Sequence, residues 1–160
     1  MKFHHLIEIN DLLNPLAEFL TREQLWHGLV LRAEAPTLFM PHLDQCTILE
    51  QTDSSVAREL RFGSVVIRDR VSFTPQQEVL YEVPAQGDIA ASRMTMRIEE
   101  PQPEALFVRF DYEEGSSEAS GGMDDFYNEF RRSAYYEADV DTITTIRRLA
   151  EEGRLDQLPS

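Results

Sequence analysis

Residues 123–153 read MDDFYNEFRRSAYYEADVDTITTIRRLAEEG, and this stretch decides the fold. Its apolar residues recur at helical spacing, so it is predicted to form one long helix. At ~1.5 Å per residue it would reach roughly 45 Å, more than the width of a small domain. A helix of that length must lie against something, and the only large partner is the run of strands before it. At ~100° per residue, Met123, Phe126, Phe130 and Ala134 share one face, with Tyr127 at its edge. Val140, Ile143, Ile146, Leu149 and Ala150 share another. A straight helix cannot press both faces on one surface. Either it bends near Tyr136 to Asp141, or its halves meet different partners. Asp139 and Asp141 each offer a carboxylate to cap a restarted helix. Gly153 suits the C′ position, and Arg147 and Arg148 suit the negative end of the dipole.

The strands come earlier. Phe3 to Ile9 alternates, with Phe3, His5, Ile7 and Ile9 on one side, the inward one. Asn14-Pro15 opens a short helix, Pro15 to Leu20. A second helix starts at once: Thr21 and Gln24 have capping-box spacing, with Leu20 and Leu25 at the staple positions. Leu25, Trp26, Leu29 and Val30 form its apolar stripe, and Pro36 ends it. The two short helices abut at Leu20–Thr21. Six strand candidates follow: Leu43–Gln51, Val56–Phe62, Val65–Phe73, Glu78–Val83, Ala91–Glu99 and Ala105–Glu113.

Gly63-Ser64 has the composition of a two-residue type II′ hairpin turn. That turn sets Phe62 opposite Val65, Leu60 opposite Ile67, Arg58 opposite Asp69 and Val56 opposite Val71. If the turn at Pro75 has three residues, Val71 faces Tyr81, which then points inward. Met94, Met96 and Ile98 alternate with Arg93, Thr95 and Arg97. Leu106, Val108, Phe110 and Tyr112 alternate with Arg109 and Asp111. Residues 114–122, EGSSEASGG, have the composition of a flexible connection into the last helix.

One domain over residues 1–160 is expected for a chain of 160 residues. The net charge is −14, with 29 acidic and 15 basic residues. Nucleic acid and anionic membrane surfaces need a basic footprint, so neither is an expected partner. The single cysteine, Cys46, excludes an internal disulfide and fits a reducing compartment. No apolar run is long enough to span a membrane, and the first residues lack a signal-peptide pattern. The chain is expected to be cytoplasmic.

Motifs for chemistry are scarce. Gly121-Gly122 lacks the Lys-Ser or Lys-Thr of a phosphate loop. His4 and His5 are strand neighbours and point to opposite faces, so they make no metal pair. No serine sits in a nucleophile elbow. Neither a metal nor a cofactor is expected. What stands out is Arg58 with Asp69, the polar members of inward apolar stripes. They are a structural ion pair, or else an anchor for a ligand carboxylate or carbonyl with Asp69 orienting Arg58. His5 is either a satisfied core histidine or a proton-transfer group. Tyr81 and Tyr112 each offer a hydroxyl to a pocket, or to water or backbone.

The element order is strand, two short helices, six strands, long helix. It resembles the START-like, birch-pollen-allergen-like (SRPBCC) superfamily. The stretch LTREQLWHGLVLRAEAPTLFMPHLDQCTILE, Leu20 to Glu50, and EADVDTITTIRRLAEEGRL, Glu137 to Leu155, are similar to its AtaL-like bacterial and fungal branch. The resemblance implies an α+β helix-grip fold, a curved antiparallel seven-stranded sheet around the last helix, with a hydrophobic cavity between them. Superfamily members bind lipids, hormones and polyketides, and some cyclise or hydrolyse them. Residues 51–55, QTDSS, lack the glycine-rich loop of the plant members, so plant-type ligand habits are not expected here.

Three functional readings follow. The first is a binding module for a small, mostly apolar molecule. Phe126, Tyr127 and Phe130 would form one wall, and Met94, Met96, Phe110 and Tyr112 the other. Arg58, Asp69 and Tyr81 would lie deeper, and His5 would face the same space. The second is a cyclase or hydrolase using His5 or a cavity Tyr–Asp pair as acid and base. The third is an interaction protein in which Val140 to Ala150 pairs with a second copy, giving a homodimer in place of a monomer.

Overall fold

The computed structural model describes residues 2–14, 18–115 and 122–156, with the backbone alone for 122–127. The elements are β1 (Lys2–Glu8), α1 (Arg22–Glu34), a 3-10 turn (Pro36–Leu38), β2 (Gln45–Gln51), β3 (Ser55–Phe62), β4 (Val65–Thr74), β5 (Glu78–Val83), β6 (Ser92–Glu99), β7 (Phe107–Glu114) and α2 (Gly122–Glu151). The strands form one seven-stranded sheet in the order β1-β7-β6-β5-β4-β3-β2, antiparallel throughout. β1 closes onto β7, so the first and last strands are neighbours and both lie beside the start of α2.

The β3–β4 register follows from its turn. Gly63 has φ 61, while Ser64 is not among the positive-φ residues, as a type II′ turn requires. Phe62 pairs with Val65, Leu60 with Ile67, Arg58 with Asp69 and Val56 with Val71. Val71 in turn faces Tyr81, and Tyr81 faces Met94. Alternation therefore sends Val56, Arg58, Leu60, Asp69, Val71, Val79, Tyr81, Met96 and Phe110 to one buried face. The opposite face carries cross-strand ion pairs such as Arg97–Glu78 and Arg68–Glu59, which is why it tolerates water.

Helix α1 begins as its capping box dictates. Thr21 Oγ1 accepts from Gln24 N, and Gln24 Oε1 accepts from Thr21 N. The short helix expected over Pro15 to Leu20 is not found in its described part: residues 18–20 are non-helical, and 15–17 lie outside the described residues. Asn10 organises this segment instead. Its side chain donates to Leu20 O and Glu104 O and accepts from Leu20 N. A backbone held from outside in this way has its polar groups satisfied without helical bonds.

Helix α2 runs unbroken from Gly122 to Glu151, so the chain does not restart a helix at Asp139 or Asp141. Its rear half is pinned by Ile143, Ile146 and Leu149, all buried. Gly28 of α1 is the crossing point: a Cβ there would stand 2.7 Å from Ile146 Cγ2. This packing fixes the rotation of the continuous helix. Carried forward at 3.6 residues per turn, the inward stripe passes through Asp139, Tyr135 and Arg131, not through Phe130. Phe130 is accordingly 66% exposed, and Ala134 is exposed too. The same packing buries Ile143, Ile146 and Leu149 inside the chain, while Val140, from the same face considered for pairing with a second copy, stays exposed. Gly153, at φ 73, ends α2, with Arg154 N donating back to Leu149 O. The connection proposed as flexible lies, over 116–121, outside the described residues.

Candidate functional site

Between the sheet and the two helices lies a row of polar side chains in an otherwise apolar core. Its first group is built on the β3–β4 hairpin. Arg58, 3% exposed, donates from Nε to Asp69 Oδ1 at 2.9 Å and from Nη2 to Asp69 Oδ2 at 2.6 Å. Nη1 donates to Ala33 O, in the last turn of α1, at 2.9 Å. Every nitrogen of the guanidinium thus has a protein acceptor. The pair shows the bidentate geometry that makes a buried ion pair tolerable, and it ties the hairpin to the C-terminal end of α1.

The second group is centred on Tyr81. Arg58 and Arg32 stand over its ring, at 5.3 and 5.1 Å from the centroid. Arg32 comes from α1 and reaches α2, where Nε donates to Thr142 Oγ1 at 3.3 Å. Burial works against the Arg32 charge, but the neighbouring Tyr81 and Asp139 oxygens restore it, and the guanidinium is held above its ordinary value. Tyr81 is 6% exposed, and its hydroxyl has no hydrogen-bond partner of acceptable geometry. Arg32 and that hydroxyl attract without a directed bond.

The third group joins β1, β7 and α2. Asp139, 1% exposed, accepts at Oδ2 from the Tyr112 hydroxyl at 2.6 Å. His5 Nε2 approaches the same oxygen to 2.7 Å, off the line of a well-directed hydrogen bond. The His5 ring stacks on Phe110 at 5.4 Å. Tyr112, Phe3 and Tyr135 form a three-ring cluster, with Tyr112 4.8 Å from Phe3 and 4.5 Å from Tyr135, and Phe3 5.6 Å from Tyr135. Burial, then Asp139, push the Tyr112 phenol well above its ordinary value. Further out, Glu114 accepts from Tyr135 OH at 2.8 Å and from Arg131. His5 is reached from outside through a cleft of about 370 Å³ lined by His4, His5, Arg132, Ser133, Tyr136 and Glu137.

The structure therefore brings Arg58, Asp69, Tyr81, Tyr112 and His5 onto one inward face. Met96 and Phe110 are fully buried there, and Met94 is half-buried between Tyr112 and Tyr81 in the strand register. The side chains of Phe126 and Tyr127 lie outside the described residues. Phe130, expected in the wall, faces outward because of the α2 rotation described above. Asp139, expected as a helix cap, is instead the acceptor for Tyr112 and the neighbour of His5. Arg32 and Thr142 were not singled out by the sequence reading. The signal for Asp139 was available: it precedes Ile146 by two turns and so shares its face. Among the described residues, no cluster of three or more His, Cys, Asp or Glu side chains is placed to hold a metal.

This frame can be compared with known proteins. The profile described as AtaL, acetylaranotin biosynthesis cluster protein L, matches residues 7–153. The chain belongs to the AtaL family. No curated protein sequence matches it. Among solved structures, this AtaL-family chain is similar to the di-domain aromatase/cyclase StfQ from the steffimycin biosynthetic pathway. The TM-score is 0.70 at 10% identity, covering 94% of this chain and 51% of StfQ, so the chain spans about half of that protein. It is similar to the Zhui aromatase/cyclase from a Streptomyces species, with TM-score 0.61, 14% identity and coverage of 98% and 96%. It is also similar to human STARD10, with TM-score 0.61, 11% identity and coverage of 94% and 64%. At such identities the likeness is one of fold. The AtaL-family chain has the helix-grip fold, a curved antiparallel sheet holding a long C-terminal helix. No described helix is long and apolar enough to cross a membrane.

Proposed function

We propose that this domain binds a small, mostly apolar molecule between the inner face of the sheet and α2, and that Arg32, Tyr81, Tyr112 and His5 orient it. One observation carries the reading. Arg32 is half-buried over the Tyr81 ring with a single directed hydrogen bond, to Thr142, and the buried Tyr81 hydroxyl beside it has no directed partner. Apolar side chains with a few convergent polar groups are the usual lining of a ligand site. The half-buried Met94, flanked by Tyr112 and Tyr81, supplies an adaptable wall. The Arg58–Asp69 pair supports this lining from behind, with its donors already engaged. Phe126 and Tyr127 remain candidates for the opposite wall. The names of the similar aromatase/cyclases agree with a bound polyketide-like molecule.

A neutral fluorescent hydrophobe, phenylnaphthylamine, tests the reading. Saturable uptake with a blue-shifted emission at a single class of site is expected. Emission that rises linearly with probe, with no saturation, would refute it.

A second reading is favoured by one geometry, the Asp139 oxygen shared by Tyr112 and His5. A carboxylate beside an imidazole within reach of solvent is an arrangement able to move a proton. In this cyclase or hydrolase reading His5 exchanges a proton with the bound molecule, Asp139 stabilises the charged imidazole, and Tyr112 holds Asp139 in place.

A further inference from the structure

We propose that Arg32 is the anchor for an anionic oxygen on the bound molecule, a carboxylate or an enolate, with the Tyr81 hydroxyl as its second contact. This rests on the binding reading above and narrows it from apolar molecules in general to apolar molecules that carry such a group.

The argument starts from what Arg32 lacks. Among the described residues, no carboxylate lies within ion-pair distance of it, and its one directed hydrogen bond is a long one to the neutral Thr142 hydroxyl. An enclosed cation without a counter-ion is costly to hold. The acid that acts on its charge, Asp139, is engaged by Tyr112 and approached by His5. Arg58, also packed on the Tyr81 ring, shows what this core does with an arginine used for support: all three nitrogens are bonded to protein.

The second observation is the Tyr81 hydroxyl, which is buried beside Arg32, attracts it, and makes no directed hydrogen bond. An orphaned hydroxyl in a core forgoes about 1–3 kcal/mol, and one beside an unpaired guanidinium marks a place where an acceptor is missing. An anionic oxygen set there would accept from both groups. The Tyr81 ring packs against both guanidiniums, at 5.1 Å from Arg32 and 5.3 Å from Arg58, which holds its hydroxyl in the neighbourhood of Arg32. A planar fork matches a carboxylate or an enolate better than a neutral alcohol. Long-range attraction plays no part, since a chain of net charge −14 repels anions. The recognition is local.

The test is displacement of phenylnaphthylamine by dodecanoate and by dodecanol, which share a chain and differ in the head group. In the unmodified protein dodecanoate should compete more strongly. Arg32→Gln should weaken dodecanoate by about tenfold or more while moving dodecanol by less than about twofold. Tyr81→Phe, which removes one oxygen and leaves the ring packing, should weaken dodecanoate by about threefold, again without affecting dodecanol. Equal effects on both competitors, or none, would overturn the assignment of Arg32 while leaving the binding reading intact. If Arg32→Gln loses its cooperative thermal transition, Tyr81→Phe decides alone by the same ratio. Failure of phenylnaphthylamine to bind the unmodified protein would remove the binding reading and this inference with it.

Discussion

Arg58 and Arg32 both stand over one tyrosine ring, at 5.3 and 5.1 Å from its centroid. Arg58 is rooted in a strand, meets a carboxylate in bidentate fashion and closes the end of α1. Arg32 is rooted in α1, donates to one hydroxyl of α2 and has no carboxylate partner among the described residues. The two differ in saturation. A charge whose donors are all answered by the protein holds the fold, whereas one left open beside an orphaned hydroxyl is available to something else. The same division runs along α2. Its rear half buries isoleucines and a leucine against α1, and its front half turns Asp139, Tyr135 and Arg131 toward the sheet.

The largest effect should come from breaking the saturated pair. Asp69→Ala leaves Arg58 buried and without its counter-ion, and should lower stability by about 3–5 kcal/mol in urea denaturation. Arg32→Gln removes a charge that has no ion-pair partner, and should change stability by less than about 1 kcal/mol in the same measurement. Similar losses for the two would erase the distinction between them.

A smaller effect sharpens the comparison on the open side of the core. The folded chain holds the Tyr112 proton more tightly than the ordinary 10.0, through burial and then Asp139. A raised value in the folded state gives stability that is complete below 10.0 and declines as pH rises above it, because only the unfolded chain then releases the proton. Tyr112→Phe should cost about 1 kcal/mol near neutrality from the lost hydrogen bond. It should also lose stability less steeply than the unmodified protein above the tyrosine range. Parallel declines would show that Tyr112 is not held by Asp139.

The strands and their register were legible because local chemistry sets them. Gly63-Ser64 fixes one turn, and from that turn Arg58 must face Asp69 and Val71 must lead to Tyr81. The rotation of α2 was not legible, because its front half carries two competing stripes. Phe130 belongs to the more apolar one, but Ile146 packing on Gly28 selects the other, a choice made by tertiary contact and not by periodicity. Asp139 was misread for a related reason: an aspartate in the middle of a helix suits a cap unless its partners, here Tyr112 and His5, are known. Arg32 follows Leu29 by three residues and so borders the buried stripe of α1, yet arginine at such a border usually reaches water. Nothing local says that Tyr81 and Thr142 will enclose it.

The central claim is that apolar molecules enter the recess between sheet and helix, and the ε-methyl of Met94 reports on it most directly. Titration with phenylnaphthylamine, followed by methyl resonances of the methionines, should shift Met94 strongly in step with probe uptake. Saturable uptake with an unmoved Met94 methyl would contradict the account.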